Sequence, residues 1–336
     1  MSGSRRAGQP TRIADVARAA GVSAQTVSNV LNGRPGYTEA TRDRVLAVVR
    51  SLGFVPNRAA RHLRTKRSRQ IGIHLREDQL SARNAFTLHF LHAVLDAARQ
   101  VDHQILVFTN PIDEVSVENE LLAFGVDGFV LSNAGPTDPR PGVLAAAGVP
   151  FAVVGRTAPS LPQRWVDIDN AAAMAVVVDH LVARGCASVG YVGYPLREYW
   201  DRDRLRGARA ALRRHGIELP DERVVLGDID ELGDLVTQRL LTGAHPDAVV
   251  CSSDVIAALV YQRAHRAGLE PGTDIAVTGF DALPLVELEP RLTSVALPMA
   301  GFASAVMRLV TAQVDGAPAT ELGLLLPAEL IVGGST

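Results

Sequence analysis

Apolar positions in the first fifty-odd residues fall at helical spacing in three short bursts separated by turn residues. Ile13, Val16, Ala17 and Ala20 recur at the 3.6-residue period, and Val27, Val30 and Leu31 do so again after Gly21-Val22-Ser23. Thr11 and Ser23 stand at N-cap positions, and Gly21 permits the left-handed turn that joins the two helices. A loop, Gly33-Arg34-Pro35-Gly36, leads to a third helix that Thr38 caps, with Val45, Val48 and Leu52 facing the first two and Gly53 as its stop. Two short helices meeting at a tight turn predict a helix-turn-helix, whose second helix has the dimensions to lie in a major groove.

From Gln70 onward the pattern becomes continuous apolar runs alternating with helical stretches. Strands are predicted at Ile71–Leu75, Gln104–Thr109, Gly128–Leu131, Pro150–Val154, Ser188–Val192, Ala248–Cys251, Ile275–Thr278 and Thr293–Leu297. Helices are predicted at Phe86–Gln100, Ala171–Arg184, Arg204–His215, Asp254–Ala267 and Gly301–Val314. Such alternation indicates parallel sheets covered on both faces. The stretch is too long for one doubly wound sheet of ordinary size, so two α/β lobes are expected, with ligands bound at the carboxyl ends of the strands.

Charge divides the chain the same way. Residues 1–70 carry 13 Arg and Lys66 against Asp15, Glu39 and Asp43, a net +11, and the remainder carries −13, so the total of −2 conceals two opposite parts. A basic segment holding a helix-turn-helix points to a polyanionic partner, because phosphate neutralisation releases counterions. Residues 1–10 read as a basic disordered tail, 11–56 as the helical unit, 57–69 as a linker, and 70–336 as the two-lobed remainder. Within the linker, Asn57-Arg58-Ala59-Ala60-Arg61-His62-Leu63-Arg64 has a cap, small residues and one large apolar side chain, a helix too short to hold alone in water.

Several function classes find no support. Cys186 and Cys251 are far apart and lack metal-ligand or CxxC spacing, so neither a disulfide framework nor a zinc site is expected. His89 and His92 lie three apart on a helix with no carboxylate or Cys at supporting spacing, so a metal is not expected there either. No GxGxxG after a strand, GxxxxGK[ST], GxSxG or HExxH occurs, so no cofactor is expected and the chain does not read as an enzyme. The Arg-rich start is no signal peptide and no apolar run could span a bilayer, so a cytoplasmic protein without membrane partners is expected.

Segments IADVARAAGVSAQTVSNVLNG, TRDRV, LGFVPNRAARHLR and IGI, followed in order by VDIDN (166–170), HLVARG (180–185), RLRGARAAL (204–212), SSD (252–254), GFD (279–281), RLTSV (291–295) and LPAEL (326–330), resemble the lactose-repressor (LacI/GalR) family of bacterial transcription regulators over essentially the whole chain after residue 10. The resemblance implies an all-α helix-turn-helix headpiece joined to an α/β core with two lobes of parallel sheet, like periplasmic binding proteins. It implies a homodimer on a pseudo-palindromic double-stranded operator, with a small effector, a sugar above all, held between the lobes. No heptad pattern follows Leu330, so a tail-joined tetramer is not expected.

Residue by residue, Ala24, Gln25 and Asn29 match base-reading positions, and Gln and Asn suit bidentate contact with adenine. Ser23, Thr26, Ser28, Asn32 and Thr41 match phosphate contacts. Asn57, Ala60 and Leu63 match a hinge whose leucine wedges into the minor groove. Arg204, Asp254 and Asp281 match effector contacts, while Asp169 and Asn170 can cap a helix as readily as touch a ligand. Departures fall mostly in the core. Ser253 replaces a common Asn, Gly333 replaces an Arg, and Gly227–Gly233 offers no aromatic for a sugar ring, leaving Tyr199 and Trp200. The alternatives that stay open are a regulator of the same fold answering to a nucleobase or a partner protein, and, in other classes, a solute-binding protein or an enzyme.

Overall fold

Small apolar faces build the N-terminal helices. Helices α1 (Ile13–Ala20), α2 (Ala24–Leu31) and α3 (Glu39–Ser51) enclose Val16, Ala17, Ala20, Val27, Val30, Val45 and Phe54. The computed structural model describes residues 11–31, 33–54, 67–75, 85–109, 125–157, 163–284, 287–317 and 322–336, and it divides into two units, Met1–Ser68 and Arg69–Thr336. The expected tail 1–10, Asn32, and the hinge positions Asn57, Ala60 and Leu63 lie outside the described residues.

One cap differs from expectation. Arg12, not Thr11, is the N-cap of α1, and Asp15 returns to accept the Arg12 backbone N–H at 3.0 Å. Thr11 instead donates its hydroxyl to the Leu52 carbonyl at 3.2 Å, tying the start of α1 to the end of α3. The Asp15 carboxylate satisfies the Arg12 amide at the start of the helix, and Thr11, one residue before the cap, makes this longer-range bond instead. Gly21 closes α1 in the left-handed conformation, φ 63°. Ser23 accepts the Thr26 N–H at 3.0 Å and Thr38 accepts the Thr41 N–H at 3.3 Å, as capping requires.

The second unit contains two six-stranded sheets. In the first lobe, β1 (Gln70–His74), β2 (Gln104–Phe108), β3 (Gly128–Ser132), β4 (Phe151–Val154), β5 (Arg164–Ile168) and β11 (Gly323–Leu326) are ordered 11-5-4-3-1-2, all parallel. Helices α4 (Ala85–Gln100), α5 (Arg140–Ala146) and α10 (Met299–Val314) accompany this sheet. In the second lobe, β6 (Val189–Gly193), β7 (Val224–Leu226), β8 (Ala248–Cys251), β9 (Ala276–Asp281), β10 (Thr293–Ala296) and β12 (Glu329–Ile331) are ordered 12-10-9-8-6-7, with only β12 antiparallel. Its helices are α6 (Asn170–Ala183), α7 (Tyr199–Arg214), α8 (Ile229–Val236) and α9 (Asp254–Arg266).

Buried strands of Val, Ile and Phe explain the sandwiching: β3, β4, β6 and β8 are buried at every position. The chain passes from the first lobe to the second after β5, returns after β10 to form α10 and β11, and crosses again to β12. Carboxyl ends of both sheets therefore converge on these crossings, where ligands bind in such folds. Helix α7 begins five residues before the predicted Arg204 start, and this brings Tyr199, Trp200 and Asp201 onto its first turns.

Candidate nucleic-acid interface and ligand cleft

Helix α2 turns Val27 and Val30 into the headpiece core, which leaves Gln25 on the opposite, exposed face. Gln25 and Asn29 are one helical turn apart, and Gln25 Nε2 donates to Asn29 Oδ1 at 2.9 Å. The bond presets both side chains on one face and leaves the Gln25 carbonyl and the Asn29 amide free to present an acceptor and a donor outward. Ala24 is exposed beside them. The Ser23 and Thr26 hydroxyls lie 2.9 Å apart at the N-terminus of α2, and those of Thr38 and Thr41 are paired at the same distance at the N-terminus of α3. Hydroxyls grouped at helix N-termini suit phosphate. Ser28 lies on α2 between Val27 and Asn29 and is half-buried.

In the second unit a cavity of about 400 Å³ opens between the lobes, within the roughly 300–1,000 Å³ usual for small-molecule sites. Arg204 on α7 is its central group. Its Nε donates to Asn170 Oδ1 at 2.9 Å and its Nη1 to the Ser252 carbonyl at 2.6 Å, and Nη2 stands 3.6 Å from Asp281 Oδ1. The guanidinium carbon is 3.6 Å from the Phe280 ring centre and 4.6 Å from that of Trp200, close enough for cation–π attraction. Arginine held from so many sides loses little further freedom when a ligand arrives.

Asp281 ends β9 with φ 103°, a conformation that costs a non-glycine residue of order 1–3 kcal/mol and recurs at ligand sites. Burial above all, against the opposing Arg204 charge and with the Asp254 and Asp201 charges adding to it, pushes its carboxyl up to about 8. Asn170 is 1% exposed and lines the cavity, whereas Asp169 caps α6 by accepting the Ala172 N–H at 2.9 Å. Of the two possibilities left for that pair, Asn170 joins the site and Asp169 caps the helix.

Asp254 does not line the cavity, contrary to its expected role as a direct contact. Its Oδ2 accepts the Leu283 N–H at 2.6 Å and its Oδ1 the Ser294 hydroxyl at 2.5 Å, so both oxygens are spent inside the protein. Burial, opposed chiefly by Ser294, raises it to about 6. A Cβ at Gly279 would lie 2.2 Å from Asp254 Oδ1, so glycine in the Gly279-Phe280-Asp281 segment makes room for this brace under β9. Asp254 thus positions the Asp281 turn from behind. Ser253 caps α9, accepting the Ile256 N–H at 3.2 Å, and its hydroxyl reaches Tyr194 Oη at 3.4 Å.

Sequence reading missed most of the cavity's walls. Phe86, Tyr194 and Phe302 line it together with Trp200, so an aromatic surface exists despite its absence from residues 227–233. Asp201 lines it as well, buried to 2% exposure. Nothing in local spacing marks these positions, since they come from α4, the end of β6, α7 and α10. Tyr199 does not line the cavity; Arg202 lies over its ring at 5.9 Å. Among the described residues no group of His, Cys, Asp and Glu could hold a metal ion, and no helix is long and apolar enough to cross a membrane.

Residues 12–57 match the family profile described as bacterial regulatory proteins, lacI family, and residues 178–336 match a periplasmic binding protein-like domain. The HTH-type transcriptional regulator MalR of Streptomyces coelicolor is 30% identical, with 97% of this chain and 96% of MalR aligned. The structure of a transcriptional regulator CelR–cellobiose complex superposes with a TM-score of 0.73 at 27% identity, covering 98% of this chain and 100% of that one. The lac repressor dimer bound to operator and the anti-inducer ONPF gives 0.80 at 25% identity, covering 97% and 99%.

Proposed function

We propose that this chain, which belongs to the lacI family of bacterial regulatory proteins and is a DNA-binding transcriptional regulator, works as a cytoplasmic homodimeric repressor whose operator affinity falls when a sugar occupies the cleft between its core lobes. The observation that carries the effector half is Arg204, fixed by Asn170 and Ser252, facing Asp281, with Trp200 beside it. Arginine supplies fixed donors and aspartate an acceptor, the pairing that a ring of hydroxyls matches, and aromatic faces suit the ring's apolar side. The CelR relative was solved with cellobiose, which supports the same ligand class here.

On the DNA side, Gln25 and Asn29 read base edges with Ala24 beside them, and Ser23, Thr26, Ser28, Asn32 and Thr41 contact phosphates. Asn57, Ala60 and Leu63 form the minor-groove hinge. The lac repressor dimer on its operator supports two headpieces reading two half-sites. The test has two arms with the full-length protein. Selection from random duplexes should return a pseudo-palindrome bound with a steep salt dependence. Calorimetry with neutral sugars should then find one that binds the wild type, weakens its hold on that site, and fails to bind Arg204→Ala or Asp281→Ala. Full sugar binding by both variants would remove the cleft assignment, and a flat salt response would remove the DNA assignment.

A further inference from the structure

We propose that Asp201 is a second ligand-recognising residue of the cleft, and that with Trp200 it selects an uncharged, hydroxylated effector over the same sugar carrying a phosphate. This rests on the sugar reading above and adds the charge state of the ligand and the residue that enforces it.

Buried carboxylates around the cleft are otherwise answered from within the protein. Asp167 is met by Arg156 at 3.0 Å, by the Ile168 N–H at 2.8 Å and by Asn170 at 3.2 Å. Asp254 is consumed by Leu283 and Ser294. Asp281 faces Arg204. Asp201, 2% exposed, uses one oxygen to accept the Glu198 backbone N–H at the start of α7, which is an ordinary capping role. Its Oδ1 is buried and has no hydrogen-bond partner, and the residue lines the cavity. The neighbouring Trp200 Nε1 is buried without a partner too, and Trp200 also lines the cavity.

An unpaired buried acceptor and an unpaired buried donor, on adjacent residues that both line the cleft, define what a ligand there should offer. The ligand must donate to Asp201 and accept from Trp200. A hydroxyl does both, an ammonium only donates, and a phosphate dianion only accepts. The cations lining the cleft already carry acidic partners. Arg197 is paired with Asp228 at 3.3 Å, and Arg204 is engaged by Asn170, Ser252 and Asp281. A phosphate here would bring a second negative charge against Asp201 in a partly desolvated cleft.

The experiment is calorimetric titration of the full-length protein with matched pairs: glucose and glucose 6-phosphate, trehalose and trehalose 6-phosphate, sucrose and sucrose 6-phosphate, with cellobiose and maltose added. The best neutral sugar should bind wild type at least about tenfold more tightly than its phosphorylated partner, and Asp201→Ala should lose about tenfold in its affinity. Asp201→Asn keeps an acceptor without the charge, so it should hold the neutral sugar better than Asp201→Ala does and should narrow the gap to the phosphorylated form. Asp201→Asn keeps an oxygen to accept the Glu198 N–H while removing a buried charge, so it should not harm folding, and an unreduced melting temperature verifies that. Unchanged affinity in Asp201→Ala, or tighter binding of a phosphorylated sugar by wild type, overturns the proposal while leaving the sugar reading standing. Failure of every sugar, with a purine bound instead, removes both.

Discussion

Arg204→Met tests whether one cation holds the cleft together. The substitution keeps much of the side chain's length and apolar contact with Phe280 and Trp200, but removes the donors to Asn170 and Ser252 and the charge facing Asp281. Breaking a buried ion pair by deleting one member costs about 3–5 kcal/mol. Here the loss is limited, because Asp281 already sits at about 8 with Arg204 in place. At pH 7 its carboxyl is mostly protonated, and the orphaned group can stay neutral. The unmet Asn170 and Ser252 acceptors then dominate, at about 1–3 kcal/mol each before relaxation, so a net loss of about 3 kcal/mol is expected near neutrality.

The pH dependence carries a definite sign. A carboxyl whose folded pKa is raised gives stability that is fully present below its unfolded value, near 3.8, and is lost as pH rises to the folded value, here about 8. Removing Arg204 raises that upper limit further. Wild type and variant should therefore fall in parallel on this account up to about pH 8, and the cost of the substitution should grow above it. Urea unfolding at pH 6, 8 and 9.5, followed by tryptophan fluorescence, reads both quantities, since only two tryptophans occur and Trp200 lies beside Arg204. A loss under about 1 kcal/mol at every pH would mean that Arg204 does not brace the cleft. A loss that shrinks above pH 8 would mean that the coupling to Asp281 is assigned wrongly.

Three other substitutions have definite expected outcomes. Gly207→Ala places a Cβ 2.4 Å from the Ala171 carbonyl oxygen where α6 and α7 pack, so the roughly 1 kcal/mol that Ala adds to an open helix should reverse into a loss of about 1–3 kcal/mol in urea unfolding; a more stable variant contradicts the close approach. Asp201→Asn removes a carboxyl raised from 3.8 to about 7, chiefly by burial, so its thermal stability should gain on wild type progressively from pH 4 to pH 8, by up to about 4 kcal/mol, and a constant difference across that range would refute the burial assignment. Gln25→Ala should cost about 1–3 kcal/mol at one symmetric pair of operator positions, and an unchanged motif from site selection would exclude base reading by this residue.

The sequence disclosed the parts governed by local periodicity. Helices α1, α2 and α3 and the strong apolar strands follow from spacing, because each buries a face that its own residues define. Strands β5, β7, β11 and β12 and helices α5 and α8 escaped for physical reasons. Strand β5 opens with Arg164 and Trp165, both half-buried, and β11 is an edge strand with alternating exposure. Helix α5 contains Pro141 and Gly142, and α8 is eight residues long with Gly233 inside it. The cleft was legible only in part. Arg204, Asp281 and Asn170 stand in the motifs that carry the family resemblance, but Asp201, Tyr194 and Phe302 become neighbours only when separate crossings bring the two sheets together. Asp254 shows the converse: its motif position suggested a ligand, while its geometry makes it a support.

That arrangement also determines how a ligand could gain leverage on DNA binding. Cavity residues sit on the crossings themselves: Asp167, Ile168 and Asn170 where the chain leaves the first lobe, and Leu297 and Phe302 where it returns. The lobes touch across the cleft independently of any ligand. Arg156, following β4, reaches Asp203 on α7 at 2.5 Å while it also holds Asp167 at 3.0 Å. A ligand changes the balance of lobe arrangements only by its difference in affinity between them. One held by Arg204 alone would ride on the second lobe and alter little. One that also engages the first-lobe wall near Phe86 adds contacts that exist at a single lobe separation, next to an ion pair that reports the same separation. Coupling of about 1–3 kcal/mol, the usual range between distinct sites, then requires only one or two such bridging hydrogen bonds. The first-lobe contacts of the effector, more than the grip of Arg204, are therefore where its regulatory power should reside.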